Sequence, residues 1–236
     1  MNITSPHNQK LKDIRKLSSR RRWREQTARF VAEGEDLLAA ADAVGWQAVE
    51  RYCAAGSGLP GIEVEPELLA QASGLGSGTR ALAVYEERWA PRALGPLCVY
   101  LHGVHDPGNV GAVLRSARAF GASSVALGPE TADPFGPKAV RASMGAVFSV
   151  AVARTGDTAE LPGTKLALAS GRGEPLSAVD PEGETTLLIG AERDGLPEEL
   201  VGSADVVAHI PIQTDSLNAA MAATIALYEV TRMPRA

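Results

Sequence analysis

From residue 97 onward the chain repeats one pattern, a short apolar run, a turn and a helical segment. The apolar runs lie at 97–101, 124–127, 150–153, 165–169, 186–190 and 206–210, with helices after Asn109, near 138–143 and from Ser216 to about Arg232. Runs this apolar suit strands covered on both faces, the environment of a mostly parallel sheet between layers of helix. The fold class read from them is α/β. In such sheets ligands sit beyond the carboxyl ends of the strands, so the loops after the runs are where chemistry is expected.

The first ninety residues read as a smaller α/β unit. A helix over 8–17 carries Leu11, Ile14 and Leu17 on one side, and strands are expected at 30–32, 49–54 and 81–85, with helices from 33 to 44 and over 67–72. The stretch 88–96, R-W-A-P-R-A-L-G-P, has two prolines and a glycine and reads as a linker. The expected domains are therefore 1–90 and 97–236.

Charge separates the two. The formal net charge is -5, yet residues 1 to 30 hold nine Lys or Arg against two acidic residues, leaving 14 basic and 26 acidic residues in the remainder. A basic region on an otherwise acidic protein points to a polyanionic partner. The run Arg20, Arg21, Arg22, Trp23, Arg24 fits RNA, with arginines on phosphates and the indole stacked on an unpaired base. The competing explanation is a solvated basic helix end with Trp23 in the core. Cys53 and Cys98 have no CxxC or histidine companion, so neither a metal site nor a disulfide framework is expected, and a reducing cytoplasmic setting follows. No apolar run approaches the ~20 residues of a membrane span, and no signal-peptide pattern opens the chain.

Three loops carry the chemistry-bearing residues. Residues 106–121, D-P-G-N-V-G-A-V-L-R-S-A-R-A-F-G, are a glycine-rich turn opening into an amphipathic helix. Asn109 is the expected N-cap there, and Arg115 and Arg118 share a flank left free by the apolar stripe. A basic flank near a helix N-terminus suits an anionic ligand. The second loop holds Glu192, and the third leads into the final helix through Ser216, Leu217 and Asn218. Taken singly, these have plain explanations as a loop carboxylate and as helix caps.

Together the segments N-V-G-A-V-L-R-S-A-R-A-F-G, L-I-G-A-E-R-D-G-L and I-P-I-Q-T-D-S-L-N-A-A-M-A-A-T-I resemble the three ordered motifs of the SpoU/TrmH family of RNA 2′-O-ribose methyltransferases. The opening I-T-S-P-H-N-Q-K-L-K-D-I-R-K-L followed by F-V-A-E-G resembles the substrate-binding domain that precedes many of the rRNA enzymes, a group that includes antibiotic-resistance determinants. The resemblance implies a deep trefoil knot, a rare exception to unknotted connections, and an obligate homodimer packed through the last helix. On that reading Met221, Ile225 and Tyr228 face a partner. It implies S-adenosylmethionine held by backbone groups around Gly190, Ile210 and Leu217, with Ala169 nearby, and no metal.

Arg115 matches the family arginine proposed to act on the ribose 2′-hydroxyl. A guanidinium with a pKa above ~12 is a poor general base, so a role in orienting phosphate and stabilising the developing alkoxide is expected. Asn109, Glu192, Ser216 and Asn218 match the remaining polar motif positions. Three departures stand out: Ala219 and Ala220 where many relatives have valine and serine, and Arg193 where glycine is common. A tRNA target or a noncatalytic RNA-binding role remains open at this point. A dinucleotide-dependent oxidoreductase is disfavoured because G-N-V-G lacks the G-x-G-x-x-G spacing.

Overall fold

The structure, a computed structural model, describes residues 2–74, 78–181 and 183–232. The N-terminal part comprises β1 (Asn2–Ile3), α1 (Gln9–Ser19), α2 (Arg21–Thr27), β2 (Arg29–Glu33), α3 (Glu35–Ala43), β3 (Glu50–Ala54), β4 (Ile62–Val64), α4 (Pro66–Ala72) and β5 (Ala81–Glu86). Its five strands run in the order β1-β4-β3-β5-β2. β2 and β3 flank β5 antiparallel, whereas β4 lies parallel between β3 and β1. The strands β1 and β4 were not expected from sequence, being only two and three residues long.

Helix α1 starts where the Asn8 side chain accepts a hydrogen bond from the Lys10 amide at 2.9 Å. Its apolar side buries Leu11, Ile14 and Leu17, as the spacing required. Arg20 adopts an extended backbone and separates α1 from α2.

That break divides the basic run. Arg20, Arg21 and Arg22 are exposed, with Arg21 paired to Glu25 at 2.8 Å. Arg24, expected to contact RNA, is only 6% exposed. It forms an ion pair with Asp133 at 2.8 Å and donates from Nη1 to the Leu17 carbonyl at 2.7 Å. A guanidinium committed to buried partners is a structural tie. Trp23 packs partly buried against the core, and the Lys16 Nζ sits 4.2 Å from its ring centroid.

The C-terminal part contains β6 (Leu97–Leu101), α5 (Pro107–Ala119), β7 (Ser124–Leu127), α6 (Pro137–Ala142), β8 (Ala151–Arg154), β9 (Thr164–Leu168), β10 (Glu174–Pro175), β11 (Thr185–Ile189), α7 (Glu198–Gly202), β12 (Val206–His209) and α8 (Ala219–Thr231). Its seven strands are ordered β10-β12-β9-β11-β6-β7-β8, and every pairing is parallel. The central strand β11 is buried along its whole length: Leu187, Leu188 and Ile189 are apolar, and the buried Thr186 hydroxyl donates to the Pro162 carbonyl at 2.6 Å.

By contacts, residues 1–88 form one unit with 133–149, and 89–132 form another with 150–236. The segment 133–149, including α6, falls within the expected second domain but packs with the first unit. Aromatic packing accounts for this: the Phe135 ring lies 4.9 Å from Phe30, and Phe148 lies 5.0 Å from Tyr85 and 5.3 Å from Trp46. Burying such a ring contributes about 1.5–3 kcal/mol, enough to decide which core a short segment joins. Among the described residues no helix is long and apolar enough to cross a membrane.

Candidate active site

Helix α5 begins one turn earlier than the sequence suggested. Asp106 is the N-cap, its carboxylate accepting from the Gly108 amide at 2.6 Å, and Pro107 occupies the first helical position. Proline there loses no intrahelical hydrogen bond. Asn109 consequently lies within the first turn, and its side chain is released from capping. Val110, Val113, Leu114 and Ala117 are buried, while Arg115 and Arg118 project from the exposed flank.

The final helix begins later than expected, at Ala219. Asn218 is its cap, with Oδ1 accepting from the amides of Ala220 at 3.0 Å and Met221 at 3.2 Å. Its Nδ2 is then available, and it donates to Asn109 Oδ1 at 3.0 Å. Asn109 in turn donates from Nδ2 to Glu192 Oε1. Three expected site residues from three loops are thus joined in one hydrogen-bonded chain running Asn218, Asn109, Glu192. Ser116 and Thr224 share a 2.6 Å hydroxyl contact between α5 and α8.

A cavity of about 300 Å³ opens beyond the ends of β9, β11 and β12. Ala169, Gly190, Ile210 and Leu217, the four residues expected around the cofactor, all line it, as do Glu192 and Ser216. Arg115, Asn109 and Asn218 do not line it; the two asparagines reach it through Glu192.

Gly190 has a steric reason as well. A Cβ built there would fall 2.1 Å from the Gly195 carbonyl carbon. The loop folds back so that Ala191 and Gly195 exchange backbone hydrogen bonds at 3.1 and 3.0 Å. Only glycine allows this close return.

Several lining residues were not singled out from sequence. The loop after β9 contributes Ser170, whose hydroxyl donates to the Asp215 carbonyl at 2.9 Å, and Arg172, which pairs with Glu198 at 2.7 Å. Applying the strand-end rule to the run 165–169 as well would have found them. His209 also lines the cavity, with Nδ1 buried and unpaired among the described residues. Nothing in its local pattern marks it. Cys53 and Cys98 are buried free thiols, and burial pushes the Cys98 thiol up. Among the described residues no cluster of His, Cys, Asp and Glu could hold a metal ion.

The profile of the SpoU rRNA Methylase family matches residues 96–228, a span containing all three loops and the cavity they enclose. The chain belongs to the SpoU rRNA methylase family. Among SpoU relatives, the 23S rRNA (guanosine(2553)-2'-O)-methyltransferase RlmP of Bacillus subtilis is 28% identical, covering 97% of this chain and 98% of that protein. Another relative, ribosomal RNA small subunit methyltransferase G 2 of Syntrophobacter fumaroxidans, is 35% identical over 98% of this chain. The alignment covers 49% of that longer protein. The AdoMet-bound rRNA methyltransferase of Sinorhizobium meliloti superposes with a TM-score of 0.89 at 30% identity, covering 100% of this chain and 99% of the other.

Proposed function

We propose that this SpoU chain transfers a methyl group from S-adenosylmethionine to a ribose 2′-hydroxyl of ribosomal RNA, most of all that of the large subunit. The observation that carries this reading is the Asn218, Asn109, Glu192 chain beside a cavity lined by Ala169, Gly190, Ile210 and Leu217. The full-length likeness to RlmP supports the RNA class, and the AdoMet-bound neighbour supports the cofactor.

The cavity suits the cofactor chemically. Leu168, Ile189, Leu196 and Ile212 offer apolar walls for a nucleoside base, and Glu192, Asp194 and Asp215 offer negative charge toward a cation. S-adenosylmethionine supplies an activated methyl on a sulfonium, so the protein's task is alignment and management of the departing proton. Arg115, exposed on α5, is assigned to the phosphate beside the target ribose and to the alkoxide that develops as its proton leaves. Asn109 and Asn218 hold the Glu192 carboxylate in place. Ser216, on the cavity wall, is assigned a hydrogen bond within the pocket.

The N-terminal unit is assigned to RNA through exposed Arg20, Arg21 and Arg22, and in the second unit exposed Arg118 on α5 is assigned to the same partner. The strand order β12-β9-β11, with its loops gathered at one end, is compatible with the trefoil knot that the family resemblance implies. A homodimer through α8 is supported by Met221, Ile225 and Tyr228, 61%, 36% and 53% exposed on a helix whose other side buries Ala219, Ala220, Ala223, Ala226 and Leu227. A cytoplasmic setting, alongside the ribosome, belongs to the same reading.

The test is transfer of labelled methyl from S-adenosylmethionine to protein-free RNA and to large ribosomal subunits, comparing wild type with Arg115→Ala. An alkali-resistant labelled dinucleotide that disappears in the variant is the expected result. Cofactor binding without transfer to either substrate would overturn the rRNA assignment, and absence of cofactor binding would overturn the enzymatic one.

A further inference from the structure

The charges around the cavity are unevenly committed. Its two arginines are Arg172 and Arg193, and its carboxylates include Glu192, Asp194, Glu198 and Asp215. Arg172 is paired to Glu198. Arg193 is exposed and makes no ion pair or hydrogen bond with a described residue. It rides on the turn closed by the two Ala191–Gly195 hydrogen bonds, which Gly190 alone permits by its close approach. The backbone beneath the guanidinium is therefore held, while its charge is uncommitted.

A cavity with surplus carboxylates and one free guanidinium suits a ligand bearing cations together with one carboxylate. Resting on the cofactor reading above, we propose that Arg193 binds the carboxylate of the amino-acid tail of S-adenosylmethionine and so selects cofactors that retain that group. The sulfonium and ammonium of the same tail match the surrounding acidic side chains. The fork of a guanidinium fits a carboxylate in a bidentate pairing that a point charge cannot reproduce. A ribose-phosphate oxyanion is the other source of the same chemistry, and the experiment separates the two.

Calorimetric titration of the full chain would compare wild type, Arg193→Ala and Arg193→Lys against S-adenosylmethionine and against 5′-methylthioadenosine, which lacks the amino-acid tail. Because Arg193 is exposed, solvent limits the gain. The expected result is about three- to tenfold weaker binding of S-adenosylmethionine by Arg193→Ala, partial recovery by Arg193→Lys, and methylthioadenosine affinity within about twofold of wild type.

Equal weakening of both ligands would show that the arginine merely supports the loop, and would overturn the proposal. Unchanged affinity for both, with a raised KM for RNA, would assign Arg193 to a phosphate and also overturn it. Failure of wild type to bind S-adenosylmethionine would instead sink the underlying cofactor reading, an outcome distinguishable from the first two.

Discussion

Asn109 donates a hydrogen bond to Glu192 across 83 residues of sequence, joining the first turn of α5 to the loop after β11. Neither residue caps a helix, and Glu192 forms no ion pair with a described residue. The carboxylate is positioned by a neutral amide.

Replacing Asn109 with alanine removes this bond and the one received from Asn218. Hydrogen bonds to charged groups contribute about 1.5–3 kcal/mol, so single-turnover methyl transfer is expected to fall about ten- to hundredfold. Asn109→Asp should be worse, because it sets two carboxylates against each other. Retention of wild-type rates in both variants, measured under saturating cofactor, would remove the network from the mechanism.

At Gly190 even one methyl is too large. The Gly190→Ala side chain would collide with the Gly195 carbonyl carbon at 2.1 Å, and overpacking of this kind costs about 1–3 kcal/mol. Thermal unfolding should shift downward and cofactor affinity should fall more than about tenfold, since the displaced loop carries Glu192.

The basic run should separate into two behaviours. Arg24→Ala leaves the Asp133 carboxylate, 9% exposed, without its partner, and breaking a buried pair costs about 3–5 kcal/mol. Joint replacement of Arg20, Arg21 and Arg22 by alanine should leave stability nearly unchanged. It should reduce the log–log salt slope of RNA binding by about two. Chemical denaturation and salt-dependent binding, run on both variants, would contradict this division if Arg24→Ala proved stable or the triple variant lost cofactor.

Tyr85 gives a pH prediction. Burial pushes its phenol up to about 12, with a smaller lowering effect from Arg51 and a raising one from Asp42. The folded state therefore favours the neutral phenol, and stability is fully present below the ordinary tyrosine value near ~10. As pH rises from there through about 12, the unfolded chain loses its proton first and this stability is lost. The Tyr85 hydroxyl is buried with no hydrogen-bond partner among the described residues. Tyr85→Phe should therefore match or exceed wild-type stability at neutral pH, by about 1 kcal/mol at most. It should also remove part of the alkaline loss, read by denaturant unfolding at several pH values.

Local chemistry made much of this fold readable. The apolar runs placed β6, β7, β9, β11 and β12 within a residue or two, because strands covered on both faces favour apolar sequence. Asn109, Glu192 and Asn218 could be nominated because each stands at the end of such a strand or the start of a helix. Short elements were less readable. β10 has two residues, Glu174 and Pro175, both exposed, and leaves no pattern to detect. The cap of α5 was misplaced because Asn109 and Asp106 are both good caps, and Pro107 tips the choice toward Asp106.

The sequence by itself determined the alternation of strand and helix, the parallel sheet and the loops that carry the polar residues, since these follow from spacing and side-chain type over a few residues. The tertiary structure alone decided that Arg24 would be buried against Asp133 and that Phe135 and Phe148 would join the core around Phe30. It also decided that Asn109 would turn from a helix cap into the link between Asn218 and Glu192. Those outcomes depend on groups distant in the chain meeting in three dimensions, where burial and hydrogen-bond satisfaction select one partner among several that local sequence leaves equivalent.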